Sequence, residues 1–457
     1  MTSTPVARER RTLRALGLTG IVLVLLATAA PAARSTEAGA PVQGFGTGGV
    51  VAIDLPGDNV PTAMVKTTTG KLVVTIQSGS RLFVAMLTSD GDLDSGFGDE
   101  GIAALDLAST TIGAGLQPSP TGAVLVAAWL RDDPPVTGEQ RLAVARLGSD
   151  GALDASYGDG GVASTLAGEL TPVDHAPGGF AASPDGSAVV LGVTGAGGYY
   201  GGAAVAALVR FTADGERDAS FGADGLAPLA PAGTLPLFGG LAIAPDGGIL
   251  VGETSTLAGP IRYELLVRRF TPYGAPDLGF GAAGVAQVPI PGDWRFITDV
   301  KVDDVGRIVC YGYTAAGIVG SIAGRVDLVD SPDPSAGFSP AIARLHPDGR
   351  PDVSFGRGGV MLLYTDGDGV PLLWSGNIAV TRAGAFVTAY EDGAAVLTTR
   401  LLAVDATGAV DHTFGAGHSI RLPMENTMAV VAFGDRVVVL GERSWSAGGT
   451  LIAAFHR

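Results

Sequence analysis

Residues 44–51 read GFGTGGVV, and near-copies of this octet return six times along a chain of 457 residues. The copies are GFGDEGIA (96–103), SYGDGGVA (156–163), SFGADGLA (220–227), GFGAAGVA (279–286), SFGRGGVM (354–361) and TFGAGHSI (413–420). Each later copy follows a hydrophobic run and a turn, most often of the Asp-Gly type, whereas nothing strand-like precedes the first. Self-similarity at a regular interval is the signature of a repeat architecture, so the octet marks a repeated structural unit.

The copy at residues 239–288 shows the whole unit as four apolar runs joined by turns. The runs are GLAIA (240–244), GILVGE (248–253), YELLVRRF (263–270) and GVAQV (284–288). Runs with apolar residues at alternate positions are typical of half-buried strands, and the Gly, Asp and Pro residues that bound them are typical of tight turns. With 70 glycines and only 16% charged residues, the chain is expected to be all-β.

The count of strands along the chain predicts how the fold closes. The first, second and third strands of the unit each occur seven times. The seventh copy of the third strand, LIAAFHR, ends the chain at residue 457. The fourth kind follows a third strand six times, and its seventh copy is the octet at 44–51. We therefore predict a seven-bladed β-propeller of four-stranded antiparallel blades, closed by an N-terminal outer strand that completes the C-terminal blade.

The repeated unit resembles a known family. LAVARLGSDGALDASYGDGGVA (142–163) and its relatives are similar to the delta-60 repeat of bacterial β-propeller proteins, and the blade pattern is similar to the NHL propeller repeat. The resemblance covers residues 44–457. It implies a propeller and secretion, but no catalytic residues, because the delta-60 family has no established catalytic set.

The N-terminus has the pattern of a secretory signal. Four arginines, the last at Arg14, precede the apolar run LGLTGIVLVLLATAA (16–30), and small residues follow. We predict a signal peptide at 1–33, a flexible linker at 34–43, a propeller domain at 44–457, and a secreted, periplasmic or cell-surface location. An uncleaved membrane anchor stays open as the alternative.

The net charge limits the classes of binding partner, and the cysteine content limits the possible cross-links. A net charge of −16 argues against nucleic acid and, beyond the signal segment, against anionic membranes. The single cysteine, Cys310 in GRIVCYGY, has no partner for an internal disulfide and reads as a buried strand residue.

Two recurring residue types read as structural. An arginine stands eight residues before an aspartate in four copies, which predicts ion pairs across a hairpin: Arg146–Asp154, Arg210–Asp218, Arg269–Asp277 and Arg344–Asp352. The aromatic residue of each octet is expected to pack between neighbouring blades.

The sequence contains few candidates for a reactive centre. The motifs of metalloproteases, α/β-hydrolases and P-loop enzymes are absent. SDGDLDSG, with Asp90, Asp92 and Asp94, departs from a calcium loop, and Asp366 with Asp368 is a weak alternative. The pair Asp174 and His175 reads as a solvated loop. No catalytic residue, metal or cofactor is predicted, and whether the protein is an enzyme is left open, leaning towards no.

Aromatic residues concentrate on one face. Successive antiparallel strands send the short turns to one side and the variable loops to the other. Six aromatic residues on the loop side are the candidate ligand-binding residues: Trp129, Tyr199, Tyr200, Trp294, Trp374 and Trp445. An equally open interpretation is that they only cover blade edges.

Three functions are compatible with the sequence. The favoured one is an exported binding or scaffold module whose loop face holds a glycan or protein partner. The alternatives are a lyase or hydrolase with its site at the mouth of the central channel, and a purely structural envelope protein. An enzyme of this kind would require polar side chains that converge on the axis.

Overall fold

A computed structural model shows seven antiparallel sheets of four strands each, arranged as blades around an axis. It describes residues 37–107, 110–120, 124–131, 140–165, 179–194, 205–229, 237–257, 262–292, 294–315, 338–363, 372–391, 398–415, 418–444 and 448–457. The all-β, seven-bladed propeller is confirmed. Across the described residues, no helix has the length and apolarity that crossing a membrane requires.

Each blade has an inner, a second, a third and an outer strand. The inner strands of blades 1 to 7 are β2 (Asn59–Lys66), β6 (Thr110–Pro118), β10 (Phe180–Ala182), β14 (Leu237–Ile243), β18 (Trp294–Val302), β22 (Leu372–Thr381) and β26 (Asn426–Phe433). The second strands are β3 (Leu72–Ser78), β7 (Val124–Arg131), β11 (Ala188–Thr194), β15 (Ile249–Leu257), β19 (Ile308–Ala315), β23 (Gly384–Glu391) and β27 (Arg436–Ser444). The third strands are β4 (Arg81–Leu87), β8 (Gln140–Leu147), β12 (Val205–Phe211), β16 (Arg262–Phe270), β20 (Phe338–Leu345), β24 (Thr399–Asp405) and β28 (Gly448–His456). The outer strands are β5 (Ile102–Leu105), β9 (Val162–Ser164), β13 (Leu226–Pro228), β17 (Val285–Gln287), β21 (Val360–Leu362), β25 (Ile420–Arg421) and β1 (Val50–Ile53).

The seventh blade is assembled from both ends of the chain. β1 pairs antiparallel with β28, with Val50 opposite Ala453 and Ile53 opposite Thr450. The closure predicted from the strand count is therefore correct. Because β1 covers the edge of β28, the last blade is completed without another chain.

The aromatic residue and the glycine of each octet join neighbouring blades. The glycine has positive φ, 57° at Gly98, where a Cβ would lie 2.3 Å from the carbonyl oxygen of Ile102. Its N–H donates to a turn carbonyl of the next blade, as in the 2.7 Å bond from Gly98 to Asp150. The same bond recurs from Gly46 to Asp90, Gly158 to Asp214, Gly222 to Tyr273, Gly281 to Asp348 and Gly356 to Thr407.

Residues 37–43, assigned from the sequence to a flexible linker, form part of the seventh blade. Gly39 N–H donates to the His456 carbonyl at 2.8 Å, and His456 N–H donates to Ala40 at 2.9 Å. Gly415 N–H donates to Ala38 at 3.0 Å, which supplies the seventh bond between an octet and the next turn. This segment thus takes the place of the glycine-containing turn that the other six blades carry between their third and outer strands, which is of the Asp-Gly type in four of them.

The core consists of seven hydrophobic clusters, one at each boundary between blades. The octet aromatic residues lie in these clusters and are at most 4% exposed, as their predicted packing requires: Phe45, Phe97, Tyr157, Phe221, Phe280, Phe355 and Phe414. Stability is therefore distributed around the ring, and each blade depends on both of its neighbours.

The predicted arginine–aspartate pairs are present in all four copies. Their shortest nitrogen–oxygen distances are 2.8 Å for Arg146–Asp154, 3.6 Å for Arg210–Asp218, 3.0 Å for Arg269–Asp277 and 2.7 Å for Arg344–Asp352. Each arginine also donates to a carbonyl of the next blade, at 2.7 Å from Arg344 to Ala406. The pairs therefore connect blades as well as strands, which spacing alone did not predict.

Candidate functional site

The two faces of the disc carry different connections. Connections from inner to second strands and from third to outer strands lie on one side, the turn face; the remaining connections lie on the other, the loop face. Glu37 and Arg457, which flank the turn of the seventh blade, belong to the turn face. The loop face is therefore clear of the ends of the described fold.

The structure places three of the six aromatic residues selected from the sequence. Trp129 lies near the loop-face end of β7, where it is half-buried against the core between blades 2 and 3. Trp294 begins β18 and Trp374 is the third residue of β22, both at the loop-face end. The remaining candidates, Tyr199, Tyr200 and Trp445, lie outside the described residues.

A group of three aromatic rings lies at the loop-face end of blades 4 and 5. Tyr263 belongs to β16 of blade 4, whereas Phe296 and Tyr313 pair across β18 and β19 of blade 5. The ring centroids are 4.8 Å apart for Tyr263 and Phe296 and 5.1 Å apart for Phe296 and Tyr313. All three side chains are half-buried, and we refer to them as the aromatic cluster.

Hydrogen bonds join blade 4 to blade 5 beside the aromatic cluster. Arg295 donates from Nε to the Tyr263 carbonyl at 2.8 Å and from Nη1 to the Ile290 carbonyl at 2.7 Å. Ile297 N–H donates to Thr254 Oγ1 at 3.1 Å. These bonds cross from blade 5 to blade 4, so the rings are held on a rigid support.

The aromatic cluster was not predicted from the sequence, because its residues lie in strands and not in the variable loops. Its members lie at the ends of three strands, and no recurring motif marks them. Burial, with a smaller effect of the neighbouring Tyr263, raises the pKa of Tyr313. The Tyr313 hydroxyl therefore remains protonated at neutral pH.

Apolar side chains are also exposed at the loop-face ends of blades 1 and 2. Ile112 of β6, which lies opposite Trp129 in β7, is 49% exposed, and Val60 of β2 is 36% exposed. Both are close to the loop-face ends of their inner strands. Blades 1 and 2 thus add a second apolar area to this face.

The central channel bears few charged groups. Among the described inner-strand residues, Asp299 is the sole carboxylate and no histidine occurs. Asp299 pairs with Lys301 at 2.9 Å; burial raises its pKa, although the lysine opposes that shift. The described inner strands therefore present no converging ring of charged side chains.

The weak metal and catalytic candidates gain no support from the geometry. Asp94 is occupied by Lys71 and by the N–H of Gly96. Within the described ranges, no group of three or more His, Cys, Asp or Glu side chains is arranged to hold a metal ion. Asp366, Asp368, Asp174 and His175 lie outside those ranges.

Comparison with known sequences supports a propeller repeat. The sequence profile of a domain of unknown function, the DUF5122 β-propeller, matches residues 120–157 and 184–221. Both segments end at the octet aromatic residue, Tyr157 or Phe221. The chain is a repeat-built β-propeller. No curated protein matches it.

Solved structures provide likenesses of fold. The propeller domain of the Trilobed protease from Pyrococcus furiosus is 10% identical, with a TM-score of 0.46 over 88% of this chain and 96% of that chain. Virginiamycin B lyase from Staphylococcus aureus, in complex with quinupristin, is 12% identical, with a TM-score of 0.45 over 89% and 99%. The polysaccharide lyase Uly1 is 11% identical, with a TM-score of 0.45 over 88% and 90%. At these identities the activities of those proteins carry no inference for this one.

Proposed function

We propose that this protein is an exported binding module of the delta-60 type, which holds a glycan or protein partner on its loop face. The observation that carries the proposal is the aromatic cluster, three half-buried rings on a rigid two-blade support. Aromatic side chains over a fixed scaffold are a common composition of binding sites. The basic and apolar N-terminal segment supports export.

Tryptophan fluorescence of the purified protein, titrated with polysaccharides, peptidoglycan fragments and peptides, tests this proposal. We expect saturable quenching by at least one ligand, with at least tenfold weaker binding in Tyr263→Ala or Phe296→Ala, which remove rings of the aromatic cluster. Arg350→Ala is the matched control, because Arg350 is 80% exposed on the turn face. If no ligand changes the spectrum and iodide does not quench it, the tryptophans are buried and the purely structural function takes precedence.

A further inference from the structure

A buried carboxylate lies at the loop-face end of the boundary between blades 7 and 1. Glu442 of β27 is 8% exposed, and among the described residues its carboxylate has one hydrogen bond, from Asn426 Nδ2 at 3.1 Å, and no cation. Asn426 is held in turn, because its Oδ1 accepts a hydrogen bond from the Tyr390 hydroxyl. A buried charge without a counter-charge is costly, so this carboxylate favours a positive partner.

Other blades satisfy the side chain at the same position of the second strand. Glu253 occupies it in blade 4, where Arg268 donates to both carboxylate oxygens, at 2.7 Å and 2.9 Å. Gln77 occupies it in blade 1, where its amide reaches the inner strand of blade 2. It donates to the Thr111 carbonyl at 2.8 Å and accepts from Gly113 N–H at 3.2 Å.

Blade 7 and its neighbour lack both kinds of partner. By strand register, Ile452 of blade 7 stands where blade 4 has Arg268. Pro61 of blade 1 stands where blade 2 has Gly113, and proline has no N–H to donate. The chain thus keeps the charge of Glu442 while the arginine and the N–H group that would compensate it are both replaced.

Two more oxygen atoms at this boundary are buried without a hydrogen-bond partner among the described residues. One is the hydroxyl of Thr450, which lies directly opposite Glu442 in β28. The other is Asn59 Oδ1 of β2, whose amide is oriented by a 2.7 Å bond from Nδ2 to the Leu55 carbonyl. An added Cβ on Gly448, two residues before Thr450, would lie 3.3 Å from the Asn59 nitrogen. Oxygen atoms of both blades therefore meet at this point.

We propose that Glu442, Thr450 and Asn59 bind one calcium ion, which joins blade 7 to blade 1 where the ring closes. Carboxylate, amide and hydroxyl oxygens suit hard cations. Calcium accepts irregular sets of such ligands, completed by carbonyls or water, whereas magnesium demands a near-ideal octahedron. A site with a single carboxylate is expected to be weak, with a Kd on the order of 0.1–1 mM, as in extracellular calcium modules.

Calorimetric unfolding of the purified full chain, stripped with EDTA and titrated with CaCl2 at constant ionic strength, tests this inference. An ion that binds only the folded protein raises Tm, so we expect a saturable rise. Glu442→Gln keeps the shape of the side chain and an acceptor for Asn426, but removes the charge, and should move the calcium midpoint at least tenfold higher. Asp92→Asn is the matched control, because it removes the same charge from an exposed turn-face residue.

A second variant separates the ion from the fold. Thr450→Val replaces the unpaired hydroxyl by a methyl group of similar size, so in EDTA its Tm should be no lower than that of the wild type. Its calcium midpoint should nevertheless rise. Terbium luminescence, excited through nearby aromatic side chains, reports the site without unfolding, and calcium should displace terbium from the wild type but not from Glu442→Gln.

Each contrary result overturns a definite part of the inference. A calcium response that Glu442→Gln retains would place the ion at other residues. An equal response to MgCl2 or NaCl would overturn calcium as the ion. If Tm does not change and no terbium signal is displaced by calcium, these oxygen atoms bind water only and the site does not exist.

Discussion

The octet aromatic residue of blade 2 differs from the other six by one hydroxyl. Tyr157 is fully buried, and its hydroxyl has no hydrogen-bond partner among the described residues. A buried donor without a partner costs free energy, whereas phenylalanine fills the same space without that cost. The six other copies show that phenylalanine fits the position.

We expect Tyr157→Phe to raise the free energy of unfolding by about 0.5–1 kcal/mol. Urea unfolding followed by circular dichroism measures the change. Tyr311→Phe is the opposite case, because the Tyr311 hydroxyl donates to the Thr388 carbonyl at 2.7 Å. That variant should lose about 1 kcal/mol. A destabilised Tyr157→Phe would indicate that the hydroxyl has a partner.

The Arg344–Asp352 pair is the most buried of the repeated ion pairs, with side chains 5% and 4% exposed. Removal of Arg344 leaves a buried carboxylate without its cation, so Arg344→Ala should cost about 3–5 kcal/mol. Arg81→Ala is the control, because Arg81 and Asp106 are 53% and 65% exposed. Its loss should stay below about 1 kcal/mol in the same urea assay.

The same pair predicts a pH dependence. Burial pushes the pKa of Asp352 upward, but hydrogen bonds from Ser354 and the ion pair with Arg344 outweigh it and hold the pKa below its usual value. A depressed pKa in the folded state gives stability that is present above the usual carboxyl pKa and lost as the pH falls through the depressed one. The cost of Arg344→Ala should therefore shrink between pH 5 and strongly acidic pH. A constant cost over that range would contradict this interpretation.

At the scale of the structural element, the octet is a turn that requires glycine for two reasons: a positive φ and close packing against neighbouring atoms. Gly98 has φ 57°, and a Cβ there would lie 2.3 Å from the Ile102 carbonyl oxygen. Gly160 has nearly the same φ, 59°, but no atom lies within 4 Å of an added Cβ. The two positions therefore separate backbone strain from steric overlap.

Gly160→Ala should cost about 1–2 kcal/mol, the strain of a left-handed residue with a side chain. Gly98→Ala should cost more, because the turn must also move and weaken the bond from Gly98 to Asp150. Thermal unfolding of both variants provides the comparison. Equal losses would show that the close packing around Gly98 relaxes freely.

At the scale of the whole molecule, the ring is closed in register, because residues 37–39 and the end of β28 meet within one turn. Glu37, Ala38 and Gly39 align with Ser89, Asp90 and Gly91 of blade 1, and Gly39 has φ 83° beside 86° at Gly91. Arg457 follows His456, whose N–H and carbonyl make the bonds that Thr88 makes in blade 1. Arg457 thus reaches the position of Ser89, and a direct bond from Arg457 to Ala38 would rebuild the turn.

A circular permutant with Arg457 joined to Ala38, opened within residues 320–330, should therefore fold and unfold cooperatively. These opening residues lie in the longest variable stretch between repeats. Deletion of residues 37–53 is the contrasting variant, because it exposes the edge of β28 and should cause aggregation or loss of the fold. Circular dichroism and gel filtration distinguish these results. A permutant that does not fold would show that the alignment of the two ends is wrong.

The repeat, the number of blades and the closing strand were determined by the sequence itself. The reason is physical: each unit specifies its strands through local alternation and its turns through glycine and aspartate, and seven copies repeat that signal. The arginine–aspartate pairs were predictable for the same reason, since a hairpin brings residues eight apart face to face.

The contacts between neighbouring blades were decided only by the tertiary structure. The bonds from the octet glycines to the next turn, and the completion of the last turn by residues 37–43, depend on how whole blades pack. The aromatic cluster joins Tyr263, Phe296 and Tyr313 from three strands of two blades. No local sequence pattern indicates that these three residues are close together, because the packing of one blade against the next brings them into contact.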